Sequence, residues 1–202
     1  MGQESYLKIG GGMGSLPYEG TLGWHAELQY EYRFLPSLSG FVSVGINGDN
    51  FTNKGQSQGN DGMETWNNSW EYNYVERLNY IDLGLKYPLL SIGKRYVMKP
   101  ALGLSFVQSV LEYPEKMFIN RGVIEQREDV VRKVGAGMLL FGLENVIALN
   151  ERVGLNLSLN YRTAFTERHI LTREVTFHNS RVTSTSGILH VTNIVLQIGY
   201  RF

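Results

Sequence analysis

His178-Asn179-Ser180 sets a histidine two places before a serine, the spacing at which an imidazole on a strand can take a hydroxyl proton and make the oxygen a nucleophile toward an ester. Such a base needs an orienting acid, and the sequence from Arg181 to Phe202 contains none. Arg162, Arg168, Arg173 and Arg181 cluster with His169 and His178 against Glu167 and Glu174. Guanidinium groups so gathered can clamp phosphate oxygens in pairs, while the mixed signs equally describe a solvated loop. Trp66, Trp70, Tyr72 and Tyr74 stand in a stretch dominated by Asn, Gly and Gln. Exposed rings of this kind bind glycan or a protein partner, and the alternative is a rim at the start of a strand. Asp49, Asn50 and Asp61 lack the loop spacing and the closing glutamate of an EF-hand calcium site. The reading expects no catalytic residue, no cofactor and no metal, and takes Trp66, Trp70, Tyr72, Arg168, Arg173 and Arg181 as candidate recognition residues.

Composition narrows the classes. Nineteen basic residues balance nineteen acidic ones in 202, so no net field points to nucleic acid. Without cysteine there are no disulfides, thiol nucleophiles or zinc-thiolate sites. The densest apolar run, Met138 to Leu143, is far short of the roughly 20 residues of a membrane helix. Residues 1–5 lack the basic and apolar regions of a signal peptide, so an exported protein would be represented here by its mature form. No linker divides residues 1–202, which read as a single domain.

The elements that position these residues are strands. Leu22, Trp24, Ala26, Leu28, Tyr30, Tyr32 and Phe34 alternate with Gly23, His25, Glu27, Gln29, Glu31 and Arg33, a period of two with one apolar and one polar face. The alternation returns at Val153, Leu155, Leu157, Leu159 and Tyr161 against Gly154, Asn156, Ser158, Asn160 and Arg162, and again at Ile194, Leu196, Ile198, Tyr200 and Phe202 against Asn193, Gln197, Gly199 and Arg201. Weaker strands are expected near Ser5–Met13, Gly40–Asn47, Asn79–Tyr87, Tyr96–Gln108 and Arg132–Ile147, which makes eight. Short connections at 35–38, 88–93 and 149–152 alternate with long ones at 48–71, 109–131 and 163–186. Short periplasmic turns and long extracellular loops predict an all-β, eight-stranded antiparallel up-and-down transmembrane β-barrel in the bacterial outer membrane. The long loops are themselves β-like around His178-Asn179-Ser180 and Asn120-Arg121-Gly122, so extended extracellular hairpins are expected.

A soluble barrel shows the same alternation with its apolar face inward. Here the polar face is rich in Gly, Ser, Asn and Gln with few charges, which suits a lumen better than a solvated exterior. Lys8, Glu27, Glu31, Arg33, Asp82, Lys86, Lys99, Glu144 and Arg201 are the expected lumen charges, paired into a plug rather than lining a pore. Tyr30, Tyr32, Phe34, Tyr87, Tyr200 and Phe202 fall near the periplasmic turns, with Trp24 and Tyr161 nearer the opposite rim, as aromatic girdles do.

The last residues, Gly199-Tyr200-Arg201-Phe202, resemble the C-terminal signal by which outer-membrane barrels are read by their assembly machinery. The segment Leu78–Tyr87, followed by Lys99–Ser105, resembles the central hairpin of the PorT-like outer-membrane barrels, within the wider OmpA/OmpX type. The resemblance implies fold and location and carries no catalytic or binding residue. OmpA itself continues into a peptidoglycan-binding domain, so an anchoring role is not expected here. The His-x-Ser spacing is also that of outer-membrane lipid A deacylases, although Arg181 stands where those enzymes have asparagine.

These readings lead to a non-enzymatic, polar-filled barrel that acts through its extracellular hairpins, as a binding or adhesion barrel or as an accessory subunit of a larger outer-membrane complex. Expected partners are outer-membrane lipid and lipopolysaccharide, the barrel assembly machinery and such a complex. The alternatives are a lipid A-modifying enzyme and a conduit for small apolar molecules, which needs a hollow apolar upper lumen and a gap in the wall.

Overall fold

From Leu22 to Glu31 the alternation of residue type becomes an alternation of exposure: Gly23, His25, Glu27, Gln29 and Glu31 are buried, while Leu22, Trp24, Ala26, Leu28 and Tyr30 are exposed. A computed structural model describes the backbone of residues 4–16, 21–60, 65–93, 95–120, 123–177 and 180–202, and within these the side chains other than 21, 51, 53–72, 114–128, 166–177 and 180–189. Its strands are β1 (Glu4–Leu16), β2 (Thr21–Leu35), β3 (Leu38–Asn60), β4 (Thr65–Lys86), β5 (Leu90–Ile92), β6 (Tyr96–Asn120), β7 (Val123–Ala148), β8 (Val153–Phe177) and β9 (Ser180–Arg201).

Eight long strands pair with their sequence neighbours, β1 pairs with β9, and β4 pairs with β6 from Val75↔Glu112 to Lys86↔Ala101, so the sheet closes and has no edge at this level. Strand β5 is an addition to the expected eight. The chain leaving β4 stays hydrogen-bonded to β6 through Tyr87 N–H to Pro100 O (3.2 Å) and Leu89 N–H to Met98 O (2.9 Å), and β5 lengthens that hairpin beyond the barrel. Gly93 turns it at φ +59°, a conformation in which a Cβ costs about 1–2 kcal/mol.

The exterior is apolar at mid-height. Ile9, Leu28, Ile81, Leu104, Phe106, Phe141, Leu159, Leu196 and Ile198 are each 43–66% exposed. In water a belt of this size forgoes on the order of 10 kcal/mol or more of burial energy, comparable with the roughly 5–15 kcal/mol that holds a domain folded. The belt therefore faces hydrocarbon. Tyr30, Phe34, Tyr87, Tyr200 and Phe202 ring the end that carries both termini and the short turns, and Trp24 and Tyr161 stand toward the other.

The segments expected as long loops are strands that outlast the barrel. β3 and β4 pair out to Asn60↔Thr65, β6 and β7 to Asn120↔Val123, and β8 and β9 to Phe177↔Ser180. The sequence keeps no steady period of two over these ends, while main-chain pairing continues regardless.

Candidate functional site: the lumen plug and the extracellular sheet

The lumen holds two charged layers. In the lower one Lys8 Nζ donates to Glu31 and Glu144, both at 2.5 Å, and Lys86 Nζ donates to Glu144 (2.7 Å) and Gln29 (2.8 Å). Lys99 Nζ reaches Glu31 at 2.7 Å, as does Ser39 Oγ at 2.8 Å. Three ammonium groups thus surround two carboxylates, with Lys86 seated 4.7 Å from the centre of the Phe41 ring. Lys8, Glu31, Lys86, Lys99 and Glu144 are all buried, so each charge depends on its partners rather than on water.

In the upper layer Arg162 holds Asp82 through two hydrogen bonds, Nε at 3.0 Å and Nη2 at 2.5 Å, and lies 3.9 Å over the Tyr80 ring. Tyr80 donates its phenol to Glu27 (2.5 Å), which also accepts from Gln197 (2.8 Å). His25 stacks on Tyr80 and contacts Asn47 at 2.6 Å. This layer thus sets one guanidinium against two carboxylates, and the lower one three ammonium groups against two carboxylates. Above them Leu16, Leu78, Val107, Ala136, Met138 and Val191 form a tightly buried apolar cluster. The upper lumen is apolar, as a conduit requires, but these side chains fill it.

Of the nine expected lumen charges, Lys8, Glu27, Glu31, Asp82, Lys86, Lys99 and Glu144 are buried in the plug. Arg33 and Arg201 correct that expectation. They point inward below the plug, at the mouth, where both bind Glu4 (2.7 and 3.1 Å) with side chains 35% and 45% exposed. Arg162, read from the sequence both as the last polar-face residue of its strand and as one of the loop arginines, is fully buried and anchors the upper layer, which removes it from the loop cluster. Its parity with Asn156, Ser158 and Asn160 is what sets it on the polar, inward face. The sequence sets His25 and Gln197 on the polar face without pairing them, and Asn47 and Tyr80 are not among the expected lumen residues.

Toward the other rim the wall opens. β7 pairs with β8 only as far as Met138↔Ala164, and over Val123–Gly137 it pairs with β6 alone. β8 passes an irregular stretch between Thr163 and Arg168 and then pairs in parallel with β6, from Lys116↔Glu174 to Ile119↔Phe177. Irregularities of this sort re-aim a strand. Among the described residues the hairpin ends thus form a sheet in the order β7-β6-β8-β9, and the outer edges of β7 and β9 take no further strand there.

The backbone of Trp66, Trp70 and Tyr72 runs in the β3–β4 hairpin and that of Arg168, Arg173 and Arg181 in the β8–β9 hairpin, while their side chains lie outside the described residues. His178 and Asn179 lie outside them altogether. Among the described residues no group of three or more His, Asp or Glu is placed to hold a metal ion. At the chain end, Tyr200 and Phe202 pack edge to face outside the wall (5.2 Å), and Gly199 turns inward against Lys8 and Asn156.

No family model matches the chain, and no curated protein matches it in sequence. Solved structures do. Neisserial surface protein A is similar at TM-score 0.59 and 10% identity over 100% of this chain and 98% of its own. A major outer membrane protein from Thermus thermophilus gives 0.59 and 14% over 98% and 99%. Ail, the attachment invasion locus protein of Yersinia pestis, solved in complex with the heparin analogue sucrose octasulfate, gives 0.55 and 13% over the whole of both chains. At such identities the likeness is one of fold. Together with the apolar belt and the aromatic girdles, it shows this chain to be an eight-stranded up-and-down β-barrel of the bacterial outer membrane.

Proposed function

We propose that this is a non-enzymatic outer-membrane barrel that recognises a protein partner at the cell surface by strand addition to its extracellular sheet. The observation that carries the reading is the β7-β6-β8-β9 arrangement, whose outer strands take no further strand among the described residues and stand above a lumen closed by charged layers. Added strands draw affinity from main-chain hydrogen bonds and specificity from alternate side chains. Trp66, Trp70 and Tyr72 on one hairpin and Arg168, Arg173 and Arg181 on another supply rings and guanidiniums for a partner or for lipopolysaccharide phosphates. The PorT-like resemblance of Leu78–Tyr87 and Lys99–Ser105 favours the accessory-subunit form, a barrel docked beside a larger membrane complex.

The test is purification in mild detergent followed by mass spectrometry, for the native chain and for one in which residues 115–128 are replaced by a two-residue turn. That cut lies beyond Glu112, the last residue of β6 paired with β4, so the barrel wall is untouched. A stoichiometric partner that is lost on shortening supports the reading. A monomer with lipid alone in both cases, or a partner retained after shortening, rejects it.

A further inference from the structure

Below the plug, the mouth at the periplasmic end widens into a vestibule of about 700 Å³. It exists because the inward positions there are small: Gly154 and Gly199 on adjoining strands, with Val97, Val146 and Ala148 opposite. Its walls divide by chemistry. The valines and Ala148 make an apolar side, while Lys8, Lys99 and four arginines give six cations against Glu4 and Glu151.

Several of these cations are already engaged: Arg33 and Arg201 share Glu4, Lys8 and Lys99 bind the plug carboxylates, and Arg152 contacts the Tyr200 hydroxyl at 3.4 Å. Excess positive charge remains at the mouth. The decisive group is Asn156. Its side chain lines the vestibule and is 2% exposed, and its amide Nδ2 has no hydrogen-bond partner. A buried donor left unpaired costs about 1–3 kcal/mol unless something accepts from it. Gly199 adds no side chain beside that nitrogen, where a Cβ would crowd it at 2.9 Å. Lys99 Nζ makes one hydrogen bond, to Glu31, and keeps further donor capacity for a neighbouring oxyanion.

We propose that the vestibule is a binding site for a small carboxylate on a short apolar body. The carboxylate accepts from Asn156 Nδ2 and Lys99 Nζ, the apolar body lies on Val97, Val146 and Ala148, and the arginines at the mouth attract the anion from the periplasm. The volume is in the range of small-molecule pockets, about 300–1,000 Å³.

The probes are hexanoate and inorganic phosphate, titrated into the whole barrel folded in an uncharged detergent while the Asn156 side-chain amide resonance is followed by NMR. A saturable shift with hexanoate, at least tenfold weaker with phosphate, is expected. Asn156→Asp keeps the shape and removes the donor, and it is followed through backbone amides around Gly199; Val146→Phe fills the apolar side. Each should weaken hexanoate at least tenfold. Arg201→Gln, at the mouth, should weaken it severalfold. Heat-modifiable migration on gels confirms that each variant is folded. Absence of a saturable shift, phosphate binding as tightly as hexanoate, or affinity unchanged in the folded variants overturns the proposal.

Discussion

Arg162 on β8 reaches Asp82 on β4, eighty positions away in sequence, with two hydrogen bonds of 3.0 and 2.5 Å and both residues buried. Removing one partner of a buried pair strands the other as an uncompensated charge, at a cost of about 3–5 kcal/mol, whereas replacing both by apolar residues is often close to neutral. Arg162→Met should therefore lower the urea midpoint of the barrel in lipid vesicles by more than the double variant Arg162→Met/Asp82→Leu does. Equal losses would mean that the pair acts through packing over Tyr80 rather than through charge.

The lower layer seals the lumen by holding three ammonium groups on two carboxylates. Glu144→Gln removes the shared anion of Lys8 and Lys86 and leaves that layer at about +2, with two buried cations drawn toward water. The unaltered barrel should show no steady conductance in a planar bilayer. The variant should show openings selective for anions, read from the reversal potential in a salt gradient. A silent Glu144→Gln would locate the seal in the apolar cluster above.

Barrel closure makes its own demand at β1 and β9. A Cβ on Gly12 would overlap the Ile194 carbonyl, and one on Gly10 would overlap that of Leu196, so these strands approach more closely than a side chain permits. Gly12→Val should delay or prevent the folded, heat-modifiable form in refolding assays. Gly137→Ala should fold normally, because its Cβ would meet only the Phe165 ring at 3.6 Å. Similar folding yields for the two would show that β1 and β9 can spread without penalty.

The sequence is legible where two solvents act on one strand. Along β2, hydrocarbon on one side and the lumen on the other give every residue an assigned face, and the burial of Glu27 and Glu31 beneath exposed Leu28 and Tyr30 follows from parity alone. Parity assigns a face but not a height, which is why Arg33 and Arg201, correctly inward, belong to the mouth and not to the plug. Arg162 closes the alternation of β8 on its polar face, yet it also borders the loop arginines in sequence, and parity alone does not say that it lies below the rim. Beyond the barrel a stretch such as Lys54-Gly55-Gln56-Ser57 carries no apolar–polar period although its backbone pairs as a strand. The parallel contact of β6 with β8 joins segments more than fifty residues apart by main-chain groups, and no side-chain pattern announces it.

Trp24 offers a way to measure where the bilayer stops. It is 51% exposed on the outer wall, lies over Gly48, and stands above the belt residues Ile9, Leu28 and Val44. The other two tryptophans, Trp66 and Trp70, sit on β4 beyond Val75, its last residue paired with β6. At about 3.3 Å per residue, Trp70 is some 15 Å further along the strand and Trp66 further still. In vesicles of brominated lipid, Trp24 should be quenched more strongly by bromines near the headgroup than by bromines near the chain ends. Trp24→Phe should leave an emission from Trp66 and Trp70 that neither lipid quenches. Residual quenching in that variant would mean that the β3–β4 hairpin lies along the membrane, which would remove its rings from any partner above the surface.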